Sequence, residues 1–446
     1  MQLARQWKVL IVTSVAVFMA LLDVTIVNVA FPDMRASFAN VPLSDLSWVL
    51  NAYNVVFAAM LVPAGRLADR LGRKRTFLTG LVVFVAASVL CGAAPSVEVL
   101  IAARVVQAVG AAALVPISLS LVLPEFPPER RGTAVALSTM TGAIAAAAGP
   151  SLGGVLVSWQ GWRWVFFVNL IVFALVFVPA VRLLRESSKD VEARWPDMVG
   201  AGLLALSIGF LALSLVKGED WGWGSVRVVA GFAAAVGLMV WFVVRSKRHE
   251  SPVFELSLFR SKGFSAANAG AFVFNVGFYA VLLCNILFLT GVWHYSEADA
   301  GLAVTPGPVV AALTAPFAGR LVDRFGSRAI AVPGGLVFGA GALWLSLHGD
   351  SSYLTGFLPG MLMTGLGVGL SIPSFTSAAV SQLPANRMAT GTGITSAARQ
   401  IGAVVGIAML IAVVRVGYAE VYLVIAIAGG LAAVAASLVS RVPSPQ

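Results

Sequence analysis

Fourteen apolar stretches set the terms on which this sequence can fold. They lie near residues 9–30, 46–64, 76–94, 98–123, 132–158, 163–184, 198–216, 226–245, 264–290, 299–318, 329–348, 353–378, 391–414 and 418–440. A run of about 20 mostly apolar residues crosses the hydrocarbon of a bilayer as a helix. Such a helix satisfies its own backbone polar groups where no water is available. Composition excludes the alternative of a water-soluble domain. The chain is 59% hydrophobic and only 11% charged, whereas soluble domains carry roughly 25% charged residues. The first stretch follows Arg5 and Lys8 as the core of a signal peptide would. It runs on to about Ala30, lacks a cleavage site and contains Asp23, so it reads as a retained first helix.

The net charge of +10 does not indicate a nucleic-acid partner, because the basic residues form neither a single patch nor a tail. They cluster in every second gap between stretches, the pattern of cytoplasmic loops. With the N-terminus inside, only Arg35, Arg163, Lys217, Arg227 and Arg415 of the 30 basic residues fall on the outer side. Arg104 and Arg399 fall within stretches. Both termini are therefore expected in the cytoplasm of a bacterial inner-membrane protein. Cys91 and Cys284 each sit in an apolar run and read as small buried hydrophobes, with no disulfide framework or metal spacing.

The chain also repeats itself. Gly65-Arg66-Leu67-Ala68-Asp69-Arg70-Leu71-Gly72-Arg73 recurs 254 residues later, from Gly319, as Gly319-Arg320-Leu321-Val322-Asp323-Arg324-Phe325-Gly326-Ser327-Arg328. Gly110 precedes Pro116 by six positions, as Gly367 precedes Pro373. Stretches 1–6 and 9–14 therefore read as duplicated halves, an arrangement known among transporters. The expected organisation is a six-helix bundle at 1–187, two inserted helices at 188–262 and a second six-helix bundle at 263–446.

Five segments in order resemble the major facilitator superfamily, and within it the fourteen-helix drug:proton antiporter branch. They are Leu22-Asp23-Val24-Thr25-Ile26-Val27-Asn28-Val29-Ala30-Phe31-Pro32, the Gly65–Arg75 segment, Arg104 with Gln107 and Gly110, Gly142 with Gly149-Pro150 and Gly153-Gly154, and Trp162-Arg163-Trp164-Val165-Phe166-Phe167-Val168-Asn169. The resemblance implies an all-α major-facilitator fold and export of small organic, drug-like molecules by alternating access. It implies that a proton gradient drives export with no cofactor, with lipids as surroundings and a monomer as the working unit.

Gly65 and Gly72 permit a tight turn, and Asp69, placed near the start of the third helix, suits capping its free N–H groups. The cations around it can pair with it and with lipid headgroups. These properties alone describe an anchor that fixes topology. The resemblance adds a conformational latch between halves, made of Gly65, Asp69, Arg70, Gly72 and Arg73, with Asp323 and Arg324 as second-half counterparts. Gly142, Gly149, Gly153 and Gly154 leave a smooth helix face for close packing, and Pro150 kinks that helix. By resemblance this face seals the halves against leak, with Gly402 and Gly406 as a degraded match.

Of the 20 acidic residues, only Asp23 lies clearly inside the hydrocarbon. A charge there is costly and marks function or a partner. Asp23 and Arg104 both lie about 12 Å below the outer surface at 1.5 Å per residue, so they are expected to meet. Asp23 then either exchanges a proton during transport or forms a permanent ion pair. The first role requires that its carboxylate reach water as the halves rock. Arg399 has no mid-membrane acid to meet; it is expected near a helix end, snorkelling, or else binding an anionic or carbonyl group of the substrate. Asn28, Asn51, Tyr53, Asn54, Gln107, Asn275 and Asn285, with Trp48, are expected to line a mixed polar and apolar cavity. Multidrug members of the resembled family that carry dications often have further buried carboxylates, so by the resemblance their absence here speaks against dicationic substrates and for neutral, monocationic or anionic ones. No nucleotide-binding loop is present. No nucleophile–base or metal cluster is legible either, so the expectation is a carrier and not an enzyme. The competing reading is a proton-coupled or facilitative importer.

Overall fold

The computed structural model of the protein describes residues 4–127, 130–186, 195–348, 352–381, 383 and 387–439. Its helices are α1 (Arg5–Ser37), α2 (Leu43–Leu46), α3 (Trp48–Leu71), α4 (Arg73–Gly92), α5 (Val97–Val122), α6 (Arg131–Gln160), α7 (Trp164–Leu183) and α8 (Met198–Trp221). They continue with α9 (Val226–Arg248), α10 (Lys262–Gly291), α11 (Glu297–Val304), α12 (Pro306–Phe325), α13 (Ser327–His348), α14 (Leu358–Val380), α15 (Met388–Val413) and α16 (Tyr418–Ser437). Joining α2 to α3 and α11 to α12 gives 14 helical segments, among the described residues, long and apolar enough to cross a membrane. One corresponds to each apolar stretch. The expected boundary between residues 187 and 188 lies outside the described residues.

The chain divides into two compact units. One comprises Met1–Ala205, Arg248–Val253 and Ser296–Gly301; the other comprises Leu206–Lys247, Phe254–Tyr295 and Leu302–Gln446. Within the first, α1 packs on α5, α6 and α7, α4 packs on α5 and α7, and α3 packs on α5. Within the second, α10 packs on α14, α15 and α16, α13 packs on α14 and α16, and α12 packs on α14. Each pairing of the first set has its counterpart in the second, so the duplication extends from the loop motif to the helix contacts. Large apolar side chains such as Leu175, Leu313 and Val434 point outward, as they do on a surface bathed in lipid.

Close helix approach rests on glycine. A Cβ on Gly110 of α5 would lie 2.5 Å from the backbone nitrogen of Phe84 and 2.8 Å from Gly80 O on α4. On α6, a Cβ at Gly149 would collide with Thr25 of α1, and one at Gly153 would stand 2.9 Å from Ile26 Cγ1. Gly142 has Leu21 Cδ1 at 3.2 Å. Thr25 adds a hydrogen bond from Oγ1 to Ala145 O at 3.4 Å. These three glycines thus seat α6 on α1 inside one unit, where a face sealing the halves was expected. A Cβ at Gly154, one turn beyond Pro150, would instead lie 2.6 Å from Glu297 O and 3.0 Å from Ala298 Cα, residues of the second sequence half. In the other unit, Gly402 and Gly406 of α15 fit against Phe272 O and Val276 O of α10, the counterpart of the α6–α1 contact.

The signature segment departs from expectation. It is helical through Leu71, and Gly72 alone separates α3 from α4, at φ +106°. That conformation favours glycine. Nothing lies within 4 Å of a Cβ on Gly65, so no turn or close contact requires glycine there. Asp69 is in the last turn of α3, not at the start of α4, where its charge opposes the helix dipole. It is held by Arg73 across the turn, with Nε and Nη2 donating to Oδ1 at 3.1 and 3.0 Å. The acid that caps α4 is Glu186, beyond the far end of α7, which accepts from the backbone N–H of Lys74 and Arg75 at 3.0 Å each. Arg70 lies over the Trp195 ring, 4.4 Å from its centroid. In the second half Gly326, at φ +84°, is again the only residue between helices. There Asp323 and Arg324 end α12, but Ser327 stands where Arg73 stands in the first half, so the acid lacks that cross-turn cation.

Gly110→Ala is expected to lower the unfolding midpoint of the detergent-purified protein, at a cost of about 1–3 kcal/mol for overpacking. Gly65→Ala, facing open space, is expected to leave the midpoint unchanged in the same thermal melt.

Candidate functional site

The site is a closed polar cluster in the middle of the first unit, and five helices contribute to it. Asp23 is the nineteenth residue of α1, with nearly four helical turns on its C-terminal side. Its Oδ2 accepts a hydrogen bond from Arg104 Nη1 of α5. Arg104 and Gln107 are three residues apart and share a face of α5. Gln107 Nε2 donates to Asp23 Oδ1 at 2.9 Å, and Gln107 Oε1 accepts from Arg104 Nη1 at 2.7 Å. Arg104 Nε donates to Val49 O of α3 at 3.0 Å, and its guanidinium lies over the Tyr53 ring, 4.0 Å from the centroid. Asn169 of α7 donates to Asp23 Oδ1 at 3.5 Å and to Ser88 Oγ of α4 at 2.8 Å. Ser88 in turn donates to Phe166 O at 3.0 Å.

The cluster is dry. Asp23 and Arg104 are each 1% exposed, and Gln107, Ser88 and Tyr53 are sealed. Both carboxylate oxygens have donors, and the cation has a carboxylate, two neutral acceptors and a ring face. A buried pair is tolerated when further hydrogen bonds satisfy both ions in this way. The expected meeting of Asp23 and Arg104 therefore occurs, but the carboxylate has no aqueous access in this conformation. Ser88 and Asn169 were not among the expected site residues. Ser88 carries no signal in the sequence; Asn169 stood in a family-like segment without an assigned role.

The expected cavity residues separate into groups. Tyr53 and Gln107 belong to the buried cluster. Asn285 Oδ1 accepts from Tyr422 at 2.8 Å and joins α10 to α16, a helix-packing bond. Trp48 is half-buried at the start of α3. Asn28 donates to Val24 O at 2.8 Å and Asn275 to Ala271 O at 2.7 Å, each leaving its Oδ1 buried and unpartnered. Asn51 has neither amide atom partnered, and Asn54 Oδ1 is likewise orphaned. Buried polar atoms without partners call for water or a ligand. A void bounded by α10, α15 and α16 measures about 10 Å³ and is lined by apolar residues such as Val276 and Leu410; it is too small for an organic solute.

Arg399 is the correction in this group. It is the twelfth of the 26 residues of α15, about 17 Å along the axis from the nearer end. It is not at a helix end. Its side chain is partly buried, and its Nε is buried with no hydrogen-bond partner.

A chain built as two equivalent helix bundles, with an ion pair buried in one of them, has the construction of a membrane carrier. The sequence matches the Major Facilitator Superfamily over residues 13–197 and 267–446, and the protein belongs to that superfamily. It is 37% identical over 409 residues to multidrug resistance protein Stp of Mycobacterium tuberculosis, covering 91% of this chain and 75% of that protein. It is 35% identical over 420 residues to the probable actinorhodin transporter of Streptomyces coelicolor, covering 91% and 72%. Among solved structures, a POT family transporter in complex with 5-aminolevulinic acid superposes with a TM-score of 0.71 at 14% identity, covering 95% of this chain and 94% of that one. At that identity the likeness is one of fold.

Asp23→Ala is expected to destabilise the purified protein by about 3–5 kcal/mol, because it leaves the Arg104 cation buried without its counter-charge. Replacing both residues by apolar ones of similar volume, as Asp23→Leu with Arg104→Met, is expected to cost less than the single change in the same melt.

Proposed function

We propose that the protein exports small organic molecules across a bacterial plasma membrane in exchange for protons, by alternating access. Relatives named for multidrug resistance and for actinorhodin transport, at 37% and 35% identity over nine-tenths of the chain, support an exporter over an importer. The working unit is a monomer with both termini in the cytoplasm, consistent with the distribution of basic residues. No cofactor takes part. The Gly72 turn, with the Asp69–Arg73 pair and Glu186, fits a latch that holds one conformation, and Asp323 and Arg324 form its weaker counterpart.

The observation that carries the coupling reading is the Asp23–Arg104 pair itself. The carboxylate and the guanidinium satisfy each other in a site closed to water. For Asp23 to take up a proton, α1 and α5 must part at this level, which exposes the acid and frees Arg104 together. Proton binding and helix movement are then one event, as exchange transport requires. The completeness of the cluster favours a second reading in which the pair is purely structural and never opens.

The two readings separate in everted vesicles loaded by an imposed proton gradient. Under the coupling reading, Asp23→Asn abolishes gradient-driven transport of a dye such as Hoechst 33342 while gradient-independent exchange persists, and adding Arg104→Gln does not restore the driven component. Full gradient-driven transport by Asp23→Asn, or its recovery in the double variant, overturns that reading. Dye accumulation in whole cells decides direction: an exporter lowers it until the gradient is collapsed, and an importer raises it.

A further inference from the structure

Both units carry an arginine in mid-helix, and they treat it in opposite ways. Arg104 has a carboxylate, two neutral acceptors and an aromatic face. Arg399 has no carboxylate within ion-pair reach among the described residues. Its own helix and α10, α13 and α14 contain no acidic residue at all. The other helices of the second sequence half hold acids only in terminal turns, Glu297 and Asp299 in the first turn of α11, Asp323 in the last turn of α12 and Glu420 in the first turn of α16. An uncompensated cation at such depth is costly and marks a substrate or ion path.

The surroundings have a definite chemistry. Arg399 shares a face of α15 with Gly402, three residues on, where a Cβ would stand 3.0 Å from Asn275 Cβ of α10. Tyr279, one turn beyond Asn275 on α10, is within electrostatic range of Arg399 and interacts with the Gln400 side chain. The Asn275 Oδ1 and Gln400 Oε1 atoms are buried acceptors without donors. Arg399 and Gln400 thus lie within about one helical turn of Gly402, the residue that faces Asn275. Asn275 and Tyr279 are four residues apart, so both point to the same side of α10.

We propose that Arg399, with Asn275, Tyr279 and Gln400, forms a subsite for organic acids that carry an N–H or O–H donor next to the anionic group. The anion takes the guanidinium, and the neighbouring donor takes an orphaned amide oxygen. The proposal deepens the exporter reading, since it names the substrate class, but binding at the subsite does not depend on transport. It makes Arg399 a specificity-determining residue distinct from the Asp23 pair.

The test uses the purified full-length protein in detergent and two fluorescent probes, dansylglycine and dansylglycinamide. They share a fluorophore and a sulfonamide N–H and differ in one carboxylate. The expected result is that dansylglycine binds about ten-fold or more tighter, the value of one charge-assisted hydrogen bond. Arg399→Gln removes the preference, and Arg399→Lys retains part of it. Thermal melts of each variant report whether it is folded, and competition by dansylglycine against a bound dye in the wild type provides a readout that needs no variant. Equal binding of the two probes, no binding of dansylglycine, or a preference that survives Arg399→Gln in a folded protein overturns the proposal. Discrimination by the purified protein, together with vesicles that move neither probe, would instead leave the subsite standing and count against export.

Discussion

One ion pair in hydrocarbon organises the first unit. Separately, Asp23 and Arg104 would each be costly to hold away from water. Together, with Gln107, Ser88, Asn169 and the Val49 carbonyl supplying the remaining hydrogen bonds, they tie α1, α3, α4, α5 and α7 to a single point. That point can form only if backbones come close, and this is what the glycines permit: Gly110 brings α5 onto α4, and Gly149 and Gly153 bring α6 onto α1. Sequence chemistry at a dozen positions thereby converts independent apolar helices into a bundle with one defined polar centre.

The second unit repeats the helix contacts without repeating that centre. Its α10–α15 contact uses Gly402 and Gly406 as the α1–α6 contact uses Gly149 and Gly153, yet its mid-helix arginine has no acid. The latch segments differ in the same direction, since the cation at Arg73 is replaced by Ser327. Duplication has thus kept packing and let charge diverge.

Much of this was legible from the residues because each apolar stretch is a self-contained solution to burial in lipid, and its length gives its fate. Asp23 and Arg104 could be paired because there was one acid to place and the helix rise gives depth. Errors arose where helices extend beyond their apolar parts. α3 continues through the polar Gly65–Leu71 segment, because leucine, alanine and arginine sustain helix regardless of polarity. Asp69 therefore falls at the C-terminal end of α3, and the acid that caps α4, Glu186, lies 117 positions further along the sequence. Likewise α15 begins at Met388, three residues before its apolar stretch, so that Arg399 is the twelfth of its 26 residues. Ser88 and Asn169 were silent because a neutral polar residue in a membrane helix is as often a packing bond as a functional one.

The closed cluster and the open requirement of proton exchange meet in a single oxygen pair, so the account stands on whether Asp23 changes protonation as the protein works. Infrared difference spectroscopy of the purified protein, recorded with and without a transported dye across a pH series, observes that directly. The account predicts a protonated-carboxyl band that appears or disappears on dye binding and is absent from Asp23→Asn. A spectrum with no Asp23-dependent carboxyl change at any pH, from protein that binds the dye, would contradict it.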